Sequence, residues 1–101
     1  MDTTLPSDET TQSKFNRETA KIQWHELQRF YASDAVIAVA QGTDLIDVAV
    51  QFSDDNKIAV EQWLEGGQIF RVTDQQAANW HDGNITLWSV VVAPWVLVQE
   101  V

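Results

Sequence analysis

The apolar residues in the first third of the chain recur at the spacing of an amphipathic helix. Successive members of one apolar stripe are separated by four, three and four residues: Ala20, Trp24, Leu27 and Tyr31. Such spacing places them on one side of a helix, which we expect from about residue 13 or 16 to residue 32. The preceding residues are polar and rich in Thr, Ser and Asp, so residues 1–13 are expected to form a flexible N-terminal arm.

The next two apolar stretches predict a β-hairpin. Residues 35–40 (AVIAVA) form a short, unbroken apolar run, which is typical of a strand buried on both faces. Residues 45–52 (LIDVAVQF) alternate between two faces, as in a half-buried strand. The turn-like residues 41–44 (QGTD) lie between the two runs, so a loop of about four residues would join two paired strands.

Capping residues and glycines delimit two further helices. Ser53 is a suitable N-cap for a helix that would end at Gly66-Gly67. Thr73 and Gln76 have the spacing of a capping box, which predicts a third helix as far as about His81. The short segment 68–72 between these helices is expected to be a strand.

A last strand is expected to begin near Ile85. It is rich in Val and Trp, which are residues that favour strands. Pro94 cannot donate a ladder hydrogen bond, so it marks a bulge, an edge or a break. The predicted order is therefore α-β-β-α-β-α-β. This order describes a single α+β domain over residues 14–101, with a mostly antiparallel sheet of about four strands packed by three helices.

The C-terminal strand has two apolar faces, which raises the question of what covers them. Helices on one side of a small sheet would leave the other face exposed, and large apolar patches are rare on monomers. The pattern therefore favours a homo-oligomer, most simply a two-fold dimer. The residues assigned to its interface are Ile58, Trp88, Val90, Val92, Trp95 and Leu97. The alternative is a compact monomer in which the last strand is central, because two apolar faces also suit a fully buried strand.

Composition and charge exclude several classes of partner. Fifteen acidic residues and six basic ones give a net charge of −9, and such a surface repels phosphate backbones, so we expect no binding to nucleic acid or anionic membrane. The apolar stretch 87–98 is shorter than the ~20 residues that span a bilayer as a helix. The N-terminus lacks the basic start and apolar core of a signal peptide, so the expected location is the cytoplasm. The absence of cysteine excludes disulfides and zinc–thiolate sites.

The sequence offers few candidate functional side chains. Trp-His-acid occurs twice, as 24–26 and 80–82; if the segments met, their histidines and carboxylates could chelate a metal. Adjacent residues on a helix point in different directions, however, so we interpret the repeat as coincidental and predict no metal site. Glu26 falls within the apolar arc of the first helix, and Asp47 lies mid-strand. These two carboxylates are the candidates for anchoring a small ligand, although each also fits an ordinary solvent-facing position.

Three segments resemble a known family. They are ETAKIQWHELQRFYA (18–32), GQIFRVTDQQAANW (67–80) and LWSVVVAPWVLVQE (87–100), and the APWVLVQ tail is fairly distinctive. Together they are similar to a family of small bacterial proteins, about a hundred residues long, that is classed as a domain of unknown function. The resemblance implies a bacterial stand-alone domain and brings no activity, ligand or catalytic residue with it.

No catalytic residue set and no cofactor motif is found in the sequence. The first functional hypothesis is therefore a non-enzymatic module that self-associates or binds another protein. The alternative is a regulatory domain that binds a small molecule in a Trp-lined pocket. A third hypothesis is an enzyme or metal protein built on His25 and His81. These hypotheses stay open at the level of sequence.

Overall fold

The computed structural model describes residues 10–101, and these residues contain five helices and five strands. The elements in chain order are α1 (Thr11–Glu18), β1 (Ala20–Gln23), α2 (Trp24–Ala32), β2 (Val36–Val39), α3 (Leu45–Ser53), α4 (Lys57–Gly66), β3 (Ile69–Arg71), α5 (Asp74–Gly83), β4 (Thr86–Val92) and β5 (Trp95–Glu100). The predicted α+β class is confirmed. The predicted arm lies largely outside the described residues, but its last part, from Thr11, already belongs to α1.

The strands form one mixed sheet in the order β1-β4-β5-β2-β3. β5 pairs antiparallel with β4 and parallel with β2, so it is the central strand. All other neighbours are antiparallel. The apolar tail, predicted as one strand with a break, is thus a hairpin of two strands that turns at Ala93 and Pro94. Three of the four pairings are antiparallel, but the predicted counts of about four strands and three helices are wrong, because the described residues form five of each.

The predicted N-terminal helix is interrupted. α1 ends where Thr19 takes an extended conformation and both its backbone N–H and its hydroxyl donate to the carbonyl of Phe15. Residues 20–23 then form β1, which pairs with Thr86–Ser89 of β4. The ladder hydrogen bonds offered by β4 outweigh the local helical pattern, because tertiary pairing routinely overrides weak helix propensity.

Residues 45–52, predicted as the second strand of a hairpin, are helical. Asp44 accepts hydrogen bonds from the N–H groups of Ile46 and Asp47 and so caps α3. Leu45, Val48 and Ala49 are buried, and their spacing is that of a helix face. This segment fits both the alternating pattern of a strand and the apolar stripe of a helix. The prediction followed the alternating pattern and is wrong.

The helix predicted from Ser53 begins later. Ser53 is the last residue of α3, and the N-cap of α4 is Asn56, which accepts from the N–H of Ala59. α4 ends, as predicted, at the glycine pair, where Gly67 has the left-handed conformation with φ 77°. The predicted capping role of Thr73 is also confirmed, because its hydroxyl accepts from the N–H of Gln76.

Helices cover both faces of the sheet and create two cores. On one face α1, α3 and α4 pack against Ile37, Val90 and Leu97. On the other face α2 and α5 pack against Leu87, Val96 and Val98. The chain itself therefore buries both apolar faces of its C-terminal strands. Within residues 10–101, no helix is both long enough and apolar enough to cross a bilayer.

Both edge strands of the sheet are short and carry an exposed cation. β1 has four residues and includes Lys21, and β3 has three residues and includes Arg71. Lys21 lies over the ring of Trp88, with its Nζ 4.9 Å from the centroid. Short, charged edges disfavour edge-to-edge pairing with another sheet, so neither edge offers an easy route to a continuous sheet between copies.

Candidate binding sites

The two predicted ligand anchors do not share a pocket. Glu26 is exposed in the first turn of α2, and Asp47 is exposed in the first turn of α3. These helices lie on opposite faces of the sheet. The buried side of α2 consists of Trp24 and Leu27, so Glu26 points away from the core. A single site anchored by both carboxylates is therefore ruled out.

Half of the predicted interface residues are internal. Val90, Val92 and Leu97 belong to the core under α1, α3 and α4, where they contact the chain's own side chains. This is a correction of their assignment to a partner surface, and its cause is that α1, α3 and α4 cover this face of the sheet. Trp95 is half-buried, and Trp88 and Ile58 are exposed, so these three remain accessible.

The accessible apolar residues include a group around α4. No residue of this helix is fully buried, although Val60 and Trp63 pack against the core. Ile58 and Leu64 are 70% and 48% exposed. Such a helix is only partly covered by its own domain.

A groove of about 300 Å³ lies beside α4. We call it the α4 groove; its lining residues are Phe52, Asp55, Asn56, Lys57, Val60, Glu61 and Trp95. The sharp turn between α3 and α4 forms one wall, where Asp55 adopts a left-handed conformation with φ 56°. The result is an apolar floor with a charged rim.

Helices α2 and α5 run antiparallel on the other face, and they bring the two Trp-His-acid segments together. The rings of Trp24 and Trp80 meet edge to face, with centroids 5.2 Å apart. The rings of His25 and His81 lie 4.8 Å apart. The repeat interpreted as coincidental is thus a contact between two helices. The repeated Trp-His-acid pattern was the sequence feature that could have indicated this contact. Only the fold shows that the two segments meet.

Polar contacts fix this pair of helices. Gln28 Nε2 lies 2.7 Å from His81 Nδ1, and His25 Nε2 lies 3.3 Å from the carbonyl oxygen of His81. Asn84, the left-handed C-cap of α5, accepts a hydrogen bond through Oδ1 from the N–H of His25 in the first turn of α2. Across residues 10–101, no group of three or more His, Cys, Asp or Glu side chains could hold a metal ion. The histidine pair is therefore better described as part of a helix–helix contact.

An open cleft of about 370 Å³ follows the seam between these helices. We call it the α2–α5 cleft; its lining residues are Trp24, Gln28, Tyr31, Asp74, Ala77, Ala78, His81 and Asp82. The hydroxyl of Tyr31 donates a hydrogen bond to Asp74 Oδ1. This bond, partial burial and the negative charges of Asp74 and Asp34 raise the pKa of Tyr31 above its ordinary value of 10.0. Sequence patterns gave no indication of this cleft, because its walls come from segments more than 40 residues apart.

Comparison with known families gives a match over nearly the whole described chain. Residues 10–100 match the family described as "Protein of unknown function (DUF2288)". The chain belongs to the DUF2288 family. The family resemblance expected from the three sequence segments is thereby confirmed.

A solved structure shares the fold of this DUF2288 protein. It is described as the NMR solution structure of PA1075 from Pseudomonas aeruginosa, and its sequence is 38% identical. The match covers 98% of this chain and 93% of that chain, with a TM-score of 0.79. No curated protein matches the chain. Membership of the DUF2288 family therefore adds a fold relative and no activity, so function has to be argued from the surfaces described above.

Proposed function

We propose that the chain is a non-enzymatic protein-binding module that receives an apolar side chain of its partner in the α4 groove. The observation that carries this proposal is the open groove floored by Phe52, Val60 and Trp95, one wall of which belongs to a helix whose Ile58 is 70% exposed. Isolated exposed apolar residues are ordinary. Here, however, Ile58 and Leu64 lie on a helix without a fully buried residue, and Val60 of the same helix lines a concave apolar surface.

The composition of the groove supports a protein partner. Protein interfaces combine an apolar, aromatic centre with a polar rim. Trp95, Phe52 and Val60 supply such a centre, and Asp55, Asn56, Lys57 and Glu61 supply the rim. Tryptophan is also among the residue types that contribute most to binding energy.

Charge favours a partner with basic residues around its apolar anchor. The turn before α4 carries Asp54 and Asp55, and the helix carries Glu61 and Glu65 against one cation, Lys57. A second copy docked through the same surface would bring two acidic rims together in a chain of net charge −9, which is unfavourable. The homodimer stays a prediction, and the experiment below also tests it.

Selection of 12-residue peptides displayed on phage tests the proposal. We expect enriched peptides to carry Leu or an aromatic residue flanked by Lys or Arg. They should bind the Ile58→Gln variant about tenfold more weakly than the wild type, because a polar amide replaces an exposed apolar side chain on the helix that borders the groove. The matched control is Val91→Gln, which introduces the same amide at a 57% exposed position on β4; it should bind like the wild type.

Two results would contradict the proposal. One is the absence of enriched peptides, and the other is equal loss of binding in both variants, which would show that binding does not depend on the surface of α4. Sedimentation equilibrium of the same proteins distinguishes a second copy of the chain from a different protein as the partner. A wild type that dimerises and an Ile58→Gln variant that does not would show that this surface receives a second copy, against the basic partner proposed here.

A further inference from the structure

A small pocket lies at the end of the sheet where its two parallel strands terminate. β2 ends at Val39 and β5 at Glu100, and the two strands are parallel neighbours. We call the space beyond them the β2–β5 pocket; it has a volume of about 120 Å³, and its walls include Ala38, Ala40, Phe70, Gln76, Trp80 and Glu100. In open α/β sheets, ligands bind outside the carboxyl ends of parallel strands, so the place of this pocket in the sheet favours a ligand.

The pocket is narrow and belongs to the face of the sheet opposite to the α4 groove. Ala38 and Trp80 are members of the core under α2 and α5. The small side chains of Ala38 and Ala40 leave space between Phe70 of β3 and Trp80 of α5. The volume corresponds to roughly four water molecules, at ~30 Å³ each in the liquid, so the pocket admits a group of a few heavy atoms and excludes a nucleotide.

One wall carries a carboxylate that the fold holds in place. Trp80 is 4% exposed, so its indole N–H needs a partner within the chain. It donates to Glu100 Oε2 over 2.9 Å, which fixes the carboxylate and leaves Oε1 without a hydrogen bond among residues 10–101. Across the same residues, no Lys or Arg lines the pocket. The negative charge of Glu100 therefore has no cationic partner there.

Gln76 is a second polar side chain without a partner. It follows Thr73 at capping-box spacing, in which the side chain would turn back to the N–H of Thr73. The hydroxyl of Thr73 accepts from the N–H of Gln76, but the side-chain amide of Gln76 makes no hydrogen bond within residues 10–101. This half-buried amide lines the pocket instead. Because buried polar groups normally have a partner, Gln76 and Glu100 together suit a ligand with several N–H donors.

We propose that the β2–β5 pocket binds the guanidinium group of a small alkylguanidine. The guanidinium pairs with the carboxylate of Glu100, donates a further hydrogen bond to the amide oxygen of Gln76 and lies flat against the rings of Phe70 and Trp80. Guanidinium is planar, presents several donors in a fork and stacks on aromatic rings, and its bonds to a carboxylate are charge-assisted. An ammonium ion has the same charge without the flat shape, and an anion would be repelled by Glu100.

Titration with three small probes at constant ionic strength tests the proposal. They are ethylguanidine, butylamine, which has the same charge, and ethylurea, which has a similar shape without the charge. The indole N–H signal of Trp80 reports binding in ¹⁵N-labelled protein, because this group bonds directly to Glu100. Ethylguanidine should shift the signal with saturation and bind about tenfold more tightly than either other probe. The absence of a saturable shift, or equal affinity for ethylguanidine and butylamine, overturns the proposal.

A matched pair of variants separates the pocket carboxylate from general acidity. Glu100→Gln keeps an acceptor for the indole of Trp80 and removes the charge, so it should weaken ethylguanidine binding about tenfold. The control Glu65→Gln removes the same charge at an exposed position of α4, across the sheet, and should bind like the wild type. Equal weakening in both variants would show diffuse attraction by a chain of net charge −9 and would overturn the proposal.

Two further variants test the shape and the second acceptor. Ala40 is half-buried at the end of β2, so Ala40→Val should fill part of the pocket, leave the amide spectrum of the folded chain intact and abolish binding. Gln76→Met removes the amide at nearly constant length on a helix position and should weaken ethylguanidine binding several-fold. Unchanged affinity in either folded variant would place the guanidinium elsewhere and overturn the proposal.

Discussion

At the scale of single residues, the pair Tyr31–Asp74 has the clearest electrostatic signature. Its hydrogen bond requires a protonated phenol, and it raises the pKa of Tyr31 above 10.0. A group whose pKa is higher in the folded chain than in the unfolded chain contributes stability below the unfolded value. The contribution of this pair is therefore fully present below pH 10 and is lost as the pH rises through the raised pKa.

Ultraviolet titration of tyrosinate checks this expectation directly, because Tyr31 is the only tyrosine in the chain. The midpoint should lie above 10.0 in the wild type and return towards that value in Asp74→Asn, which removes the charged acceptor. Asp82→Asn serves as the control and should titrate like the wild type. Identical midpoints in the wild type and Asp74→Asn would show that the bond to Asp74 does not control the phenol.

At the scale of secondary-structure elements, α3 shows how one segment satisfies two patterns. Its residues alternate in polarity as in a strand, yet Leu45, Val48 and Ala49 also lie on one helical face. Asp44 decides locally in favour of the helix, because its carboxylate satisfies two N–H groups of the first turn. N-capping aspartate is a recognised helix signal, and Asp44 was already present in the sequence as the last residue of the turn predicted for residues 41–44.

The variant Asp44→Ala should lower the free energy of unfolding by about 1 kcal/mol, the usual loss when an N-cap is removed. Asp47→Ala is the matched control. Asp47 lies in the same first turn, and within residues 10–101 its carboxylate makes no hydrogen bond, so only its favourable dipole interaction is lost, roughly 0.3–1 kcal/mol at most. Urea denaturation followed by circular dichroism measures both. A loss for Asp44→Ala no larger than that for Asp47→Ala would argue against the cap.

At the scale of the whole molecule, the C-terminal hairpin holds the two cores together. β5 is hydrogen-bonded on both sides, and Leu97 and Val98, both 0% exposed, face opposite cores. The predicted dimer was meant to cover an apolar face of this tail, and the chain's own helices now do so. Self-association would therefore have to use the remaining exposed residues, such as Ile58 or Trp88.

Backbone amide hydrogen exchange should be slower in β5 than in α4. The backbone amides of Val96, Leu97 and Val98 should exchange only through global unfolding, since opening β5 exposes both cores. The amides of α4 should exchange faster by local opening, because that helix buries no residue completely. Two-dimensional NMR in deuterated buffer measures both groups in one sample. Equal or faster exchange in β5 than in α4 would contradict its central role.

The sequence by itself determined those features that depend on neighbouring residues. The apolar run that became β2, the cap at Thr73 and the stop at Gly67 were all predicted from local chemistry. The α+β class and the family also followed from the sequence. In each of the local cases, a few neighbouring residues cap a helix end or form a continuous apolar run. Their effect can therefore be recognised without knowledge of the fold.

Only the tertiary structure decided which surfaces meet. The pattern showed that the tail must be buried, but it could not show that β2 and β4 flank β5 while helices cover both faces. It likewise presented two Trp-His-acid segments without showing that they touch. The physical reason is that hydrophobic burial is non-directional. A sequence pattern shows which side chains must leave water. The long-range packing of strands and helices decides which other side chains cover them.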